Sequence, residues 1–313
     1  MKYRTLGRTN WRVSVLGYGA APLGGVFGPI NEKDGIRAVR KAVDLGVNFI
    51  DTSPAYGAGR ADLVLGKALK EISREQFVLA TKVGRYGPTE KDIDFSAARV
   101  TRSVDESLRR LRVSHLDLVQ VQDIELGSLK QIVHETLPAL QALKLQGKLR
   151  HVGVTGLSLA VLRQLLERAP VDAVQTHCHY CLIDTTLVQL LPFLKKHEVG
   201  IISAAPFGIG LLTPKGPPDW HPAPPEVKAA CAKAVAHCRK KKVNLARLAL
   251  QFAVANRDVT TTLVGTADPK KMKQNVKWIE ESPDNRQLAD VLEILRPIQN
   301  QAWPSGGTGP TRE

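Results

Sequence analysis

The chain has 313 residues, 43% hydrophobic and 24% charged, with a formal net charge of +14. That balance suits a soluble globular protein, long enough for one large barrel or two ordinary domains. No apolar run approaches the roughly 20 residues of a membrane span, and neither terminus reads as a secretion or organelle signal, so no membrane partner and a cytoplasmic location are expected.

Along the chain, short β-rich apolar runs alternate with longer helical patterns. Val13–Leu16 is the first run, and Ile36–Val47 follows as a helix with Ile36, Val39, Ala42 and Val43 on one face. Next come a strand at Asn48–Ile50, a helix through Leu63–Leu69 and a strand at Phe77–Ala80. Ala97–Leu111 reads as a helix and Leu116–Val121 as a strand. Ser128 is placed to cap a long helix through Leu143, closed by Gly147. The second half repeats the alternation, with strands at His151–Val154, Ala173–Gln175, Val199–Ser203 and Thr260–Val264. Helices are expected at Leu159–Leu166, Leu187–Leu194, Val227–Cys238, Leu245–Ala255 and Pro269–Trp278. A Pro-rich insert near 214–226 interrupts the pattern, and the Gly/Pro/Thr-rich tail after about 303 is expected to be mobile.

Eight strands, each followed by a helix, imply right-handed crossovers and a parallel sheet. In 313 residues they fit a single closed (β/α)8 TIM barrel spanning 1–313. A doubly wound open sheet is the alternative. It calls for a Gly-rich phosphate turn running straight into a helix, and "GYGAAPLGG" (17–25) does not do so.

A barrel carries its function at the C-terminal ends of its strands. Those ends hold Asp51 and Tyr56 in "DTSPAYG", Lys82 in "TKVG", and Gln122-Asp123. A buried lysine needs a partner, and Asp51 can pair with Lys82 across neighbouring strands. A cationic Lys82 would lower the pKa of Tyr56 and let it exchange protons near neutral pH. Each residue alone has a plainer reading, as a helix cap, a loop-packing ring or a surface ion pair. Their coincidence at adjacent strand ends favours a catalytic site.

Other clusters are set aside. His177-Cys178-His179-Tyr180-Cys181 lacks a second ligand pair at metal-binding spacing, so no metal is expected. The four cysteines are too sparse for a disulfide scaffold. Arg239-Lys240-Lys241-Lys242 reads as a solvated helix end, and no nucleic-acid motif accompanies it.

"DTSPAYG…LGKAL", "TKVG", "LDLVQV" and "SAAPFGIGLL" resemble the aldo-keto reductases over nearly the whole chain. "HCHY" (177–180), "GPPDWHPAPPE" (216–226) and "LVGTADP" (263–269) resemble the family's aldose 1-dehydrogenase branch, the plant L-galactose oxidisers included. The resemblance implies a nicotinamide cofactor across the top of the barrel and an Asp, Tyr, Lys, His tetrad. Asp51, Tyr56 and Lys82 match three of its members, and the fourth position falls on Gln122. An amide there can orient a substrate oxygen but cannot carry a proton.

The resemblance also implies the cofactor positions. Gln175 matches a carboxamide-binding site, with Thr155 and Gly156 where relatives carry Ser and Asn. Ala204, beside Ser203, falls near the usual stacking aromatic. Pro206, Phe207, Gly210 and Leu211 belong to the stretch that offers backbone N–H groups to a pyrophosphate. Gln274 and Asn275 match adenine contacts. Gly265, Thr266, Asp268 and Lys271 stand around the ribose, where Asp268 would repel a 2′-phosphate and favour NAD over NADP. Asp123, His179 and Trp220 are the expected substrate contacts. Three readings stay open: an NAD(P)-linked sugar dehydrogenase forming a lactone, an aldehyde or ketone reductase, and a weakly catalytic cofactor-binding regulatory subunit. Its partner would be a sugar or carbonyl compound, and the protein a monomer or weak homo-oligomer.

Overall fold

The computed structural model describes residues 1–301 and Trp303; the tail expected to be mobile lies outside the described residues. Strands β1 (Tyr3–Thr5) and β2 (Arg12–Ser14) form an antiparallel hairpin. Eight further strands close a parallel barrel: β3 (Leu16–Gly19), β4 (Phe49–Asp51), β5 (Val78–Val83), β6 (Leu116–Val121), β7 (Leu149–Thr155), β8 (Ala173–His177), β9 (Gly200–Ala204) and β10 (Thr261–Val264). Closure comes from β10 pairing with β3, Val264 beside Tyr18. The expected (β/α)8 barrel is therefore the fold, and the open doubly wound sheet is not. No helix among the described residues is long and apolar enough to cross a membrane.

The period of two along each strand builds the interior. Phe49, Ala80, Leu118, Ala173, Ile202 and Leu263 form an apolar floor, sealed from below by Leu6 and Val13 at the hairpin. Two residues further along, the same face carries Asp51, Lys82, Gln120 and Gln175, the last two on strands that β7 joins. One more step brings Gln122 and His177 to the mouth. The opposite faces, with Tyr18, Ile50, Leu79, Val119, Val152 and Val174, pack in the apolar layer beneath the helices.

Several expected bounds shift. Val13–Leu16 spans the hairpin strand and the start of the first barrel strand, because the chain pairs with two different neighbours within four residues. Strand β8 runs to His177 rather than stopping at Gln175, held by pairing with Ala204. Leu187–Leu194 is not one helix. A 3₁₀ turn at Thr186–Gln189 precedes a helix at Leu191–Lys196, with Pro192, which has no N–H to donate, in its first turn. A helix at Asn285–Leu295, capped by Asp284, packs on Pro225–Lys240 and was not anticipated.

Gly66 marks the closest approach of helix Arg60–Leu69 to the end of Ala97–Leu111: a Cβ there would lie 2.3 Å from the Arg110 carbonyl oxygen. Helix propensity alone would make Gly66→Ala stabilising by about 1 kcal/mol. The backbone contact reverses the sign, and we expect a loss of ~1–3 kcal/mol in denaturant unfolding.

Candidate active site

Lys82 is a buried charge in the barrel interior, its side chain 1% exposed. Its ammonium has three protons to place. One goes to Asp51 Oδ1 at 2.5 Å and one to the Thr52 carbonyl at 2.9 Å. The remaining direction faces Tyr56, whose ring centre lies 5.3 Å from Nζ. Asp51 is held in turn by Gln120, whose Nε2 donates to Asp51 Oδ2 at 3.1 Å and to Gln175 Oε1 at 3.0 Å. Burial pushes the Asp51 pKa up, against the pull of Lys82 and the amides. Burial pulls Lys82 down, but Asp51 and Tyr56 together lift it above its ordinary value. The direct contact, the amide donor on Asp51 and the carbonyl acceptor on Lys82 favour the charged pair.

Tyr56 sits in the turn after β4, pressed against the loop after β3. Gly24 and Gly57 permit that approach: a Cβ on Gly24 would meet the Tyr56 backbone at 2.5 Å, and Gly57 has φ +63°. Lys82 pulls the Tyr56 pKa down, as expected, but does not set its net direction. Burial raises it above its ordinary value and outweighs the Lys82 cation, with Asp51 and Asp123 adding to the rise.

Gln122 is oriented from behind. Ser53 Oγ accepts from the Ala55 N–H at 3.1 Å and donates to Gln122 Oε1 at 2.6 Å. With its oxygen engaged, Gln122 turns its NH2 end, a pure donor, to the cavity it helps line.

That cavity has a volume of 1190 Å³ and runs from this cluster to the start of helix Pro269–Glu280. Of the expected positions, Thr155, Gln175, Ala204, Pro206, Phe207, Gly210, Gly265, Thr266, Asp268 and Lys271 line it, with Asp123 at the inner end. The others do not. Ser203 lies between Ile202 and Ala204 and so faces out of the barrel, fully buried. Gly156 packs against Glu125, and Leu211 is in the secondary core. Gln274 and Asn275 lie beyond the first turn of their helix. The ring nitrogens of His179 are taken by the Leu157 carbonyl at 2.6 Å and Thr186 Oγ1 at 2.8 Å. Trp220 is 55% exposed. Its ring stacks at 6.3 Å on Phe27, which lines the cavity.

Asp268 is not a free charge. Its Oδ1 accepts the Lys270 N–H at 2.8 Å as the cap of helix Pro269–Glu280. Other cations lining the same cavity are Lys270, Lys215 and Arg37, the last paired with Asp34. Sequence reasoning missed Gln120, Ser53, Arg85 and His177. The signal for Gln120 and His177 was their parity: each lies two residues from a position already identified on its own strand.

A model described as the Aldo/keto reductase family matches residues 15–296. The chain is 47% identical to an L-galactose dehydrogenase of Arabidopsis thaliana, covering 98% of both chains. It is 30% identical to a pyridoxal 4-dehydrogenase of Microbacterium luteolum over 90% of this chain and 94% of that one. Among solved structures, the holo form of an aldo-keto reductase from Bacillus halodurans superposes with a TM-score of 0.78 at 27% identity, covering 97% of this chain and 98% of the other.

Lys82→Met strands Asp51 in the barrel without its counter-charge, so we expect a loss of ~3–5 kcal/mol in unfolding free energy. Adding Asp51→Asn should restore part of it. Equal instability of the single and double variants would show that Lys82 matters for packing rather than for charge.

Proposed function

The chain belongs to the aldo/keto reductase family, and from that premise we propose that this oxidoreductase takes an aldose of the L-galactose class to its lactone at the anomeric carbon. The observation that carries the reading is the buried Lys82–Asp51 pair set beneath Tyr56 at the inner end of an elongated cavity.

Family members use nicotinamide cofactors, and the cavity suits one. Its inner end offers the amide of Gln175 and the hydroxyl of Thr155, its middle the Pro206–Gly210 backbone, and its outer end Lys215, Lys270 and Lys271 for phosphates. Small Ala204 leaves width for a flat ring beside it. The bound nicotinamide supplies the hydride acceptor for the sugar C1. Tyr56, as phenolate, takes the proton of the anomeric hydroxyl. Lys82, pinned by Asp51 and the Thr52 carbonyl, stabilises that phenolate. Gln122 offers Nε2 to the same oxygen and orients it without exchanging a proton. NAD is preferred over NADP because Asp268 keeps a negative charge beside the lysines.

Tyr56→Phe should abolish oxidation of L-galactose while leaving the Kd for NAD nearly unchanged. Oxidation needs the deprotonated phenol, whose pKa burial has raised, so kcat/KM should climb with pH through and beyond neutrality. Gln122→His should raise the rate by about 10²-fold, since imidazole adds acid–base exchange to orientation. A fall on every substrate tried would mark the glutamine as an adaptation to a different one. If parent and variant turn over no sugar or carbonyl compound yet bind NAD, a regulatory role replaces the enzymatic one.

Asp268→Asn keeps the helix cap and removes the charge. The ratio of Kd values for NADP and NAD should move toward one in fluorescence titrations. An unchanged ratio would show that the Asp268 charge does not set the selectivity.

A further inference from the structure

Beyond Tyr56 and Gln122, the inner end of the cavity is walled by three polar side chains that the chemistry above does not use: Arg85, Asp123 and His177. They come from the ends of three different strands, β5, β6 and β8. Arg85 is fixed by two contacts, Nε donating to the Gly87 carbonyl at 3.1 Å and Nη1 to Asp123 Oδ2 at 2.6 Å. Nη2 makes no hydrogen bond to a described residue, and Arg85 lines the cavity. Asp123 has φ +52°, a conformation unusual for a side chain with a Cβ. The Thr155 hydroxyl holds it there, accepting from the Asp123 N–H at 3.0 Å and donating to Oδ1 at 3.3 Å. Strain of this kind persists where surrounding contacts over-determine it.

His177 continues the face of β8 that carries Ala173 and Gln175, one step above the polar layer, opposite small Ala204. Neither ring nitrogen makes a hydrogen bond to a described residue, although the ring lines the cavity. Burial lowers its pKa; Asp123 opposes that, while His179, Arg85 and Lys82 reinforce it, so the ring is neutral at pH 7. A neutral imidazole presents one donor and one acceptor. A sugar hydroxyl is itself both.

Charge decides what kind of ligand this wall suits. The Arg85 cation is matched by the Asp123 carboxylate, so the wall is polar but close to neutral. A carboxylate-bearing sugar finds no unpaired cation there. A neutral polyol finds donors from Arg85, an acceptor on Asp123 and both from His177.

We propose that Arg85, Asp123 and His177 form the specificity wall for the sugar, binding the hydroxyl groups away from the reacting carbon of a neutral aldose. The proposal rests on the aldose reading above, and the test separates the two.

The measurement is the Kd of L-galactose by calorimetry on NAD-loaded Tyr56→Phe enzyme, which should bind without turnover. Adding His177→Leu should weaken sugar binding about tenfold, and adding Asp123→Asn by about 10- to 100-fold, the ranges for a neutral and a charged hydrogen-bond partner. Asparagine tolerates the left-handed conformation at 123, so that variant should keep the fold. His177→Gln, which retains a donor and an acceptor, should recover part of the loss. The Kd for NAD should stay within about twofold throughout.

Sugar affinity unchanged in both His177→Leu and Asp123→Asn overturns the wall, as does a parallel loss of NAD affinity or no sugar binding by the Tyr56→Phe background. Sugar binding that depends on these residues, in a parent enzyme that oxidises no aldose, sinks the proposed reaction and leaves the wall standing.

Discussion

The ion pair between Lys82 and Asp51 is the constraint around which the barrel interior is arranged. Moving two charges out of water costs several kcal/mol per ion after relaxation, and their attraction repays this only when the leftover protons and lone pairs find partners. The chain supplies those partners from three strands or their ends. The Thr52 carbonyl takes a proton from Lys82, and Gln120 covers the second oxygen of Asp51 and ties it to Gln175. Thr52 is braced from outside: its hydroxyl donates to Asp62 at 2.9 Å, and Asp62 is held by Arg110 at 3.2 Å. The network that fixes the ammonium thus extends into two helices of the outer layer.

An apolar floor lies directly under this polar layer. Phe49, Ala80, Leu118 and Ala173 exclude water from below, and the hairpin residues Leu6 and Val13 complete the seal. The Lys82 charge can therefore be screened only by the groups beside it and by what enters from the mouth. That explains why burial dominates the Tyr56 pKa although a cation is near. The mouth itself divides by charge. Lysines gather at the outer end, near the start of helix Pro269–Glu280, while the inner end pairs its arginine with an aspartate. Anionic and neutral portions of a ligand set would be sorted along one cavity.

Much of this was legible from residue order. The alternation of runs gave the barrel, and several bounds, such as Ala97–Leu111, Leu116–Val121 and Leu245–Ala255, coincide with the structure. Asp51, Tyr56, Lys82 and Gln122 were identifiable because a barrel concentrates chemistry at strand ends, and the structure brings all four to one mouth. Gln120 was passed over because an amide inside an apolar run looks like a strand residue of either face. Its direction follows from parity with Gln122, and only the register places it beside Lys82 on β5 and Gly153 on β7.

Local pattern determined which segments are strands and helices, since hydrophobic period and capping residues act over a few positions. It also determined the inventory of chemical groups at the strand ends. Tertiary structure decided what those groups do to one another. Whether Ser203 faces inward, whether Asp268 is free or capping a helix, and how far β8 extends depend on pairing with residues distant in the chain. The Tyr56 pKa turns on the same thing: its sign is a contest between desolvation and a neighbouring charge, and both are set by how tightly the barrel closes.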